Sequence, residues 1–229
     1  MFVALAVWVQ PTADYMFHEG LPATLRMAAF SLVASTVIGI VLGTLLTIHF
    51  LPLRGLIRLY IEVWRGLPII VTIFTVFFVF PVAGQQFEFD PFTSATIALS
   101  LWGSAQIAEA TRGAVQSIPR EQHEAASALG FGWLGRHAFV ILPQAFRRLI
   151  PPLVSLLAGI IQNTTLASVI GASELLYTGK QQVERITAPP PAGIGEIHAI
   201  EIYGAVMIVF FCISFPLTRL AILLERRLV

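Results

Sequence analysis

The chain has 229 residues, of which 56% are hydrophobic and 12% carry a charge, with a net charge of +1 and a mean hydropathy of +0.81. These values lie outside the range of a soluble globular domain, so the sequence predicts a protein embedded in a lipid bilayer. The net charge gives no indication of nucleic-acid binding. One cysteine, Cys212, and five dispersed histidines offer neither a disulfide framework nor a metal site.

Five stretches of the chain contain no Asp, Glu, Lys or Arg. They are residues 27–53, 66–87, 91–108, 149–173 and 202–218. Because a membrane-spanning helix needs about 20 mostly apolar residues, we expect an all-α membrane protein with about five transmembrane helices. The second should begin before Gly66, since residues 59–63 already have helical apolar spacing. Residues 1–20 are expected to form an external or interfacial segment that precedes a transmembrane domain at 21–227.

The basic residues indicate the orientation of the chain. Arginines follow the first stretch, surround the segment between the third and fourth stretches, and close the chain: Arg54, Arg58, Arg65, Arg112, Arg120, Arg136, Arg147, Arg148, Arg219, Arg226 and Arg227. The other connections are mostly acidic. Since cytoplasmic loops retain positive charge, we expect the amino terminus outside and the carboxyl terminus in the cytoplasm.

Two connections are expected on the external side. Residues 81–91 are rich in turn-forming types. Residues 180–196 contain three consecutive prolines and two glycines, and we expect them to form a semi-rigid external loop.

A polar insert lies between the third and fourth stretches, at about 117–143. We expect a short cytoplasmic helix over 118–129, with Ser117 as its cap and Pro119 in its first turn. Its three alanines would let another protein approach closely, and Gly130 can adopt the left-handed conformation that ends a helix. The alternative is an ordinary surface helix made of good helix formers.

The insert carries a long motif: Glu124-Ala125-Ala126, three residues, Gly130, nine residues, Val140, one residue, and Leu142-Pro143. This pattern resembles the signature loop of ABC importer permeases, with Val140 where isoleucine is usual. Further stretches, at 62–68, 108–114, 116–119, 142–148 and 163–171, are similar to the polar amino-acid uptake branch of these permeases. The resemblance covers about 20–227.

The resemblance implies a permease fold of the type I ABC importer kind, with a cytoplasmic coupling helix, in a bacterial inner membrane. It implies three kinds of partner: two cytoplasmic ATP-binding subunits, a second permease that is identical or homologous, and an external amino-acid-binding protein. The coupling residues would be Glu124, Ala125, Ala126, Gly130 and Pro143. The chain would have no cofactor of its own, with ATP and Mg²⁺ bound by the ATPase.

The sequence also indicates that ATP is hydrolysed by a separate subunit. A phosphate-binding loop needs G-x-x-x-x-G-K-[ST], but the only Gly-Lys pair, Gly179-Lys180, is followed by Gln181 and has Glu174 in the position of the first glycine. ATP is therefore expected to be hydrolysed by another subunit, so this chain is not an enzyme. A secondary transporter or channel module is the main alternative, although such proteins usually show inverted repeats, and none is visible. An intramembrane hydrolase is the third hypothesis.

Glu109 and Arg112 stand out because an ionisable group at membrane depth costs roughly 2.5–3.5 kcal/mol to insert. At three residues apart they share a helix face and can simply pair with each other. Alternatively, the Arg112 guanidinium binds an amino-acid carboxylate and Glu109 accepts the ammonium group. Gln106, one turn earlier, either extends such a site or holds helices together.

Asn163 and Thr164 lie near the end of the fourth stretch. The family often carries an aspartate at the first of these positions, so the asparagine favours an acidic or neutral polar substrate such as glutamate, aspartate or glutamine. The alternative is that these residues cap or kink the helix. In the second stretch, Pro68 should bend the helix, which would place Leu67 as a gate residue on the pathway.

Overall fold

A computed structural model describes residues 2–48, 50–189, 193, 195 and 197–228. Throughout these residues the chain is helical or turn, with no strand, which confirms the all-α prediction. The α-helices are α1 (Phe2–Tyr15), α2 (Leu21–Leu45), α3 (Leu51–Gly66), α4 (Ile69–Phe74), α5 (Pro91–Gln116), α6 (Arg120–Ala128), α7 (Trp133–Arg136), α8 (Leu142–Asn163), α9 (Leu175–Thr187) and α10 (Ala199–Leu228). Short π and 3₁₀ segments continue several of them, including Met16–Gly20, Thr75–Val79, Phe80–Ala83, Gln85–Phe87, His137–Ile141 and Thr164–Ile170.

Three helical runs among the described residues are long and apolar enough to cross a membrane: Trp8–Leu45, Trp133–Ile170 and Ala199–Leu228. The pair Leu51–Gly66 and Ile69–Ala83, bent by 110°, would form a fourth. The third charge-free stretch lies on α5, a helix of 26 residues. It is less apolar than the three long runs because it contains many serine and threonine side chains. All five stretches are therefore largely helical, but length and composition alone identify three or four spans.

The second span begins before Gly66 as expected, but it is not continuous. Leu67 has φ −81° and ψ 139°, the extended conformation that a following proline favours. Pro68 therefore ends α3 and the chain turns sharply into α4.

The prediction of a loop at 180–196 is wrong for its first half, because α9 continues to Thr187. Residues spaced three or four apart are buried along this helix: Leu175, Thr178, Gly179, Gln182 and Ile186. The charged residues Lys180, Glu184 and Arg185 lie between them, so 180–187 belongs to an amphipathic helix, and the prolines and glycines that indicated a loop all follow it. Pro190, Pro191 and Glu196 of the expected loop lie outside the described residues, as does His49.

The chain divides into two compact units. The first comprises Met1–Phe30, Ile69–Leu99 and Gly159–Phe215. Its core brings α9 against α10 and the π segment after α1, through Met16, Leu175, Ile186, Ile202 and Val206. The Tyr15 hydroxyl donates to Gln181 at 2.8 Å, and the Leu175 amide donates to the Thr24 hydroxyl at 3.0 Å. The start of α9 is thus fixed by both apolar and polar contacts.

The second unit comprises Ser31–Pro68, Ser100–Ala158 and Pro216–Val229. One cluster packs the end of α5 against the start of α8, through Ala114, Val115, Ile118, Ile141, Ala145 and Leu149. A second packs α3 against the end of α2 and against Ala108. A Cβ at Gly43 would lie 2.4 Å from the Ala108 carbonyl oxygen, so this glycine allows α2 and α5 to approach closely.

Candidate functional site: the α6 region and the polar face of α5

The short helix predicted at 118–129 is present as α6, Arg120–Ala128, which is shorter than expected at each end. Its N-cap is Pro119, and no side chain caps it. The capping role predicted for Ser117 is therefore wrong. The Ser117 hydroxyl donates instead to the Ala114 carbonyl at 2.7 Å. Ser117 directly follows α5 and lies two residues before the N-cap position of α6.

The carboxyl end of α6 is closed by the backbone around Gly130. Gly130 has φ +85°, which confirms the predicted left-handed conformation. The Phe131 amide donates to the Ala126 carbonyl at 3.1 Å, and the Gly130 amide donates to the Ser127 carbonyl at 3.0 Å. These two bonds form a Schellman motif, which satisfies carbonyls at the helix end.

The surface of α6 is mostly open. Glu124 and Ala125 are exposed, whereas Ala126 is only 2% exposed and packs inward. Glu124 accepts from the exposed Arg120 at 2.8 Å. The Ala125 side offers little side-chain bulk, so another protein can approach the helix backbone there. Pro143, the last residue of the motif, is exposed in the first turn of α8.

Polar contacts fix α6 to the rest of its unit. Arg148 of α8 donates to the Ser117 carbonyl at 2.8 Å, and Arg136 donates to the Ser127 hydroxyl at 2.7 Å. The Thr47 hydroxyl lies 3.1 Å from His137 Nε2. The first contact joins α8 to the segment before α6, the second joins α7 to α6, and the third joins the end of α2 to the segment after α7. These contacts join residues distant in sequence and were not predicted.

The pKa of His123, on α6, is lowered by partial burial and then by the nearby charge of Arg136. Its imidazole is consequently neutral at pH 7. The helix therefore gains no positive charge from this side chain at physiological pH.

A row of polar side chains follows one face of α5. Arg112 donates from Nε to both oxygens of Glu109, at 3.2 and 3.1 Å, and also pairs with it through NH2. A fourth contact joins Arg112 Nη1 to Gln116. About a third of each charged side chain is exposed. The structure therefore shows the mutual pairing that the three-residue spacing allows, with most of the guanidinium donors engaged.

The polar face continues from α5 to α3. Arg65 Nε donates to Gln106 Oε1 at 3.2 Å, and the Tyr60 and Ser104 hydroxyls lie 2.7 Å apart. The predicted set Gln106, Glu109 and Arg112 is thus extended by Arg65 and Gln116, which the sequence analysis did not select. Leu67, one residue beyond α3, is half-buried at the bend.

Asn163 and Thr164, in the other unit, bond to their own helix. Asn163 donates to the Gly159 carbonyl at 2.8 Å, and Thr164, which is fully buried, donates to the Ile161 carbonyl at 2.8 Å. The α-helical part of the run ends at Asn163 and continues as 3₁₀ helix. These residues mark the change in helix type, and the Asn163 side chain does not cap the 3₁₀ segment.

Metal ligation has no support in the described part of the chain, where no three His, Cys, Asp or Glu side chains converge. The α6 helix is short and exposed, it is bonded to α7, and the partly exposed polar face of α5 belongs to the same unit. Such an arrangement is suited to moving membrane helices in response to another protein. These features define the class: a helical membrane protein with an exposed short helix.

Comparison with known proteins gives the family. The chain belongs to the binding-protein-dependent transport system inner membrane components, whose family model matches residues 35–229. It is 35% identical to the glutamine transport system permease protein GlnP of Escherichia coli (strain K12), over 97% of this chain and 96% of that protein. It is 29% identical to the glutamate/aspartate import permease protein GltJ of the same organism, over 91% and 85% of the two chains. The permease role predicted from the motifs is thereby confirmed.

Solved structures show the same fold. A crystal structure of an amino acid ABC transporter with histidines aligns with a TM-score of 0.76 at 24% identity, covering 100% of this chain and 99% of that one. An inward-facing form of the MetNI methionine ABC transporter aligns with a TM-score of 0.71 at 20% identity, covering 92% and 96%. The predicted permease fold of the type I importer kind is confirmed.

Proposed function

We propose that this chain is the membrane subunit of an ATP-driven importer for a polar amino acid, and that it receives force from its ATPase partners through α6. The observation that carries this proposal is the exposed Glu124-Ala125 surface on a helix whose end is closed by a Schellman motif and whose Ser127 is bonded to Arg136 of α7. Two ATP-binding subunits, a second permease and an external binding protein complete the assembly. ATP and Mg²⁺ are bound by the ATPase subunits.

The coupling role is tested by Ala125→Trp in the assembled transporter. Because Ala125 is exposed, an indole there should leave folding and membrane abundance unchanged while blocking close approach of the ATPase. We expect ATP-dependent uptake in proteoliposomes to fall at least about tenfold. Leu134→Trp is the matched control, since Leu134 is 74% exposed and lies beyond α6.

Normal uptake by the Ala125→Trp transporter at normal abundance would show that α6 does not couple the subunits. A substitution in the phosphate-binding loop of the ATPase separates the mechanisms. It abolishes uptake by an ATP-driven importer, whereas a secondary transporter or channel would keep its uptake.

We further propose that Arg112, Glu109, Gln106, Asn163, Thr164 and Leu67 belong to the translocation pathway and that the substrate is acidic or neutral and polar, such as glutamate, aspartate or glutamine. Relatives named as glutamine and as glutamate/aspartate permeases support this substrate class. An asparagine side chain can donate to a substrate carboxylate, which an aspartate would repel. When the pairing with Glu109 is broken, the Arg112 guanidinium binds the substrate carboxylate through two parallel N–H donors.

The substrate class is tested by radiolabelled uptake with two variants. Asn163→Asp should lower uptake of an acidic substrate at least about tenfold more than that of glutamine, because two carboxylates in a poorly solvated pathway repel each other. Arg112→Lys should lower uptake of both, since the planar fork is lost. Uptake of arginine or lysine by the wild-type transporter, without uptake of glutamate, aspartate or glutamine, would reject the substrate class but not the permease role.

The orientation is also a proposal: amino terminus outside and carboxyl terminus in the cytoplasm. Single cysteines at the exposed positions Gln85 and Gln122 test it, in a background where the native thiol is removed by Cys212→Ser. An impermeant thiol reagent added to intact cells should label position 85 and leave position 122 unlabelled. The reverse labelling pattern would show the opposite orientation.

A further inference from the structure

An open cavity of about 340 Å³ lies in the second unit, beside the segment that leads from α5 to α6. It is lined by Ile118, Pro143, Gln144, Arg147, Arg148 and Leu228. The start of α8 contributes both arginines and the end of α10 closes one side. The charged side chains among the described residues that line the cavity are the two arginines.

The two arginines have unused donors. Arg147 is exposed and makes no hydrogen bond or ion pair with any described residue. Arg148 uses NH1 for the Ser117 carbonyl and hydroxyl, which leaves its Nε and NH2 groups available. Guanidinium groups bind phosphate through paired N–H donors, and two of them on one wall suit a phosphate group.

The cavity lies where apolar membrane helices end. Arg147 and Arg148 immediately precede the charge-free stretch 149–173 within the candidate span Trp133–Ile170. The other wall is the last turn of the span Ala199–Leu228, which also holds Arg226 and Arg227. Phe146, next to Arg147, is 47% exposed. A phosphate bound here would be adjacent to an apolar surface, as in a phospholipid.

We propose that this cavity binds the phosphate headgroup of an anionic phospholipid, with the acyl chains lying along the apolar surfaces of α8 and α10. Basic pockets between membrane helices on the cytoplasmic side bind anionic headgroups in this way. Because Arg148 also holds Ser117, the bound lipid stabilises the segment that positions α6. Coupling between ATP hydrolysis and transport therefore depends on anionic lipid.

The test uses the assembled transporter in nanodiscs of phosphatidylcholine with increasing phosphatidylglycerol, followed by native mass spectrometry of the lipid retained after extraction. We expect wild type to retain one phosphatidylglycerol per copy of this chain and to gain ATP-dependent uptake in vesicles that contain it. Arg147→Gln should weaken retention at least about fivefold, from the contribution of one arginine near an anionic surface. Arg147→Lys should keep part of the lipid retention, because the positive charge remains while the planar guanidinium with its paired donors is lost.

Arg58→Gln is the matched control, since Arg58 is an exposed arginine on α3 outside the cavity. Equal retention by Arg147→Gln and wild type would overturn the proposal. So would displacement of the lipid by millimolar inorganic phosphate, which would make the site one for a free anion. Retention that appears only after the ATPase is removed would also overturn it, because the partner would then occupy the cavity.

Discussion

The helices α6 and α9 are both short, and both lie between long apolar helices, but they use their surfaces differently. Of the nine residues of α6, Ala126 alone is buried. Five of the thirteen residues of α9 are buried. Burial of this extent makes α9 part of the packing of its own unit, whereas most of the surface of α6 is exposed. An exposed helix of this length gains little stability by itself, so its ends and anchors must hold it.

The two helices are also terminated differently. At the start of α9 the fully buried Glu174 carboxylate accepts from the Leu176 and Tyr177 amides at 2.9 and 2.7 Å. No side chain caps α6, whose defined end is the Schellman motif at Gly130. Stability in α9 therefore depends on a buried side chain, and in α6 on one backbone conformation.

Loss of the Glu174 side chain should have the largest effect on folding. Glu174→Ala leaves two amides in a buried environment without acceptors, and we expect a loss of roughly 2–4 kcal/mol of stability. Thermal unfolding of the purified chain in detergent measures this loss. Glu184→Gln is the matched control on the same helix, where the exposed carboxylate lies 3.8 Å from Lys180 and should matter little. Equal melting temperatures for the two variants would contradict the capping role.

The same carboxyl group should make stability depend on pH. Burial raises the pKa of Glu174 to about 7 from its ordinary 4.5, despite the two amide donors. The folded state therefore binds a proton more tightly than the unfolded state. The resulting stabilisation is fully present below about pH 4.5 and is lost as the pH rises through about 7. Wild type should melt at a higher temperature at about pH 5 than at about pH 8. In Glu174→Gln the contribution of this carboxyl group to the pH dependence of the melting temperature should be absent.

Much of α6 could be predicted because its signals are local. Gly130 ends the helix through its own backbone conformation, and the motif around it identifies the family. The cap was predicted at the wrong residue because Ser117 has the right residue type but lies between the end of α5 and the N-cap position, Pro119. The carboxyl half of α9 was predicted as loop because the prediction for the whole of 180–196 rested on the three prolines and two glycines at 189–195. The burial of Leu175, Gln182 and Ile186 on one face shows that the helix continues to Thr187.

The polar face of α5 could be predicted only within one helix. The spacing of Glu109 and Arg112 indicated their pairing. The contact between Arg65 and Gln106 joins residues 41 apart in sequence, and the one between Arg148 and Ser117 joins residues 31 apart. Such contacts follow from how helices pack, and a single sequence carries no periodic signal for them.

Substitution of Gly130 should cost less stability than loss of the Glu174 side chain, and it should act mainly on transport. A Cβ there would meet no atom within 4 Å, yet the backbone has φ +85°, so any cost of substitution is conformational and not steric. That cost is about 1–2 kcal/mol for an ordinary residue and more for a β-branched one. Gly132 provides the matched control, because it is equally open but has φ −66° and ψ 177°.

We therefore expect Gly130→Val to lower ATP-dependent uptake severalfold with little change in membrane abundance, because the Schellman motif is lost and α6 is no longer held in its docking geometry. Gly130→Asn should recover most of the activity, since asparagine tolerates the left-handed region. Gly132→Ala should behave as wild type. If Gly130→Val and Gly130→Asn transport equally well, the fixed end of α6 is not required for coupling, and the contrast with the buried cap of α9 would then concern stability alone.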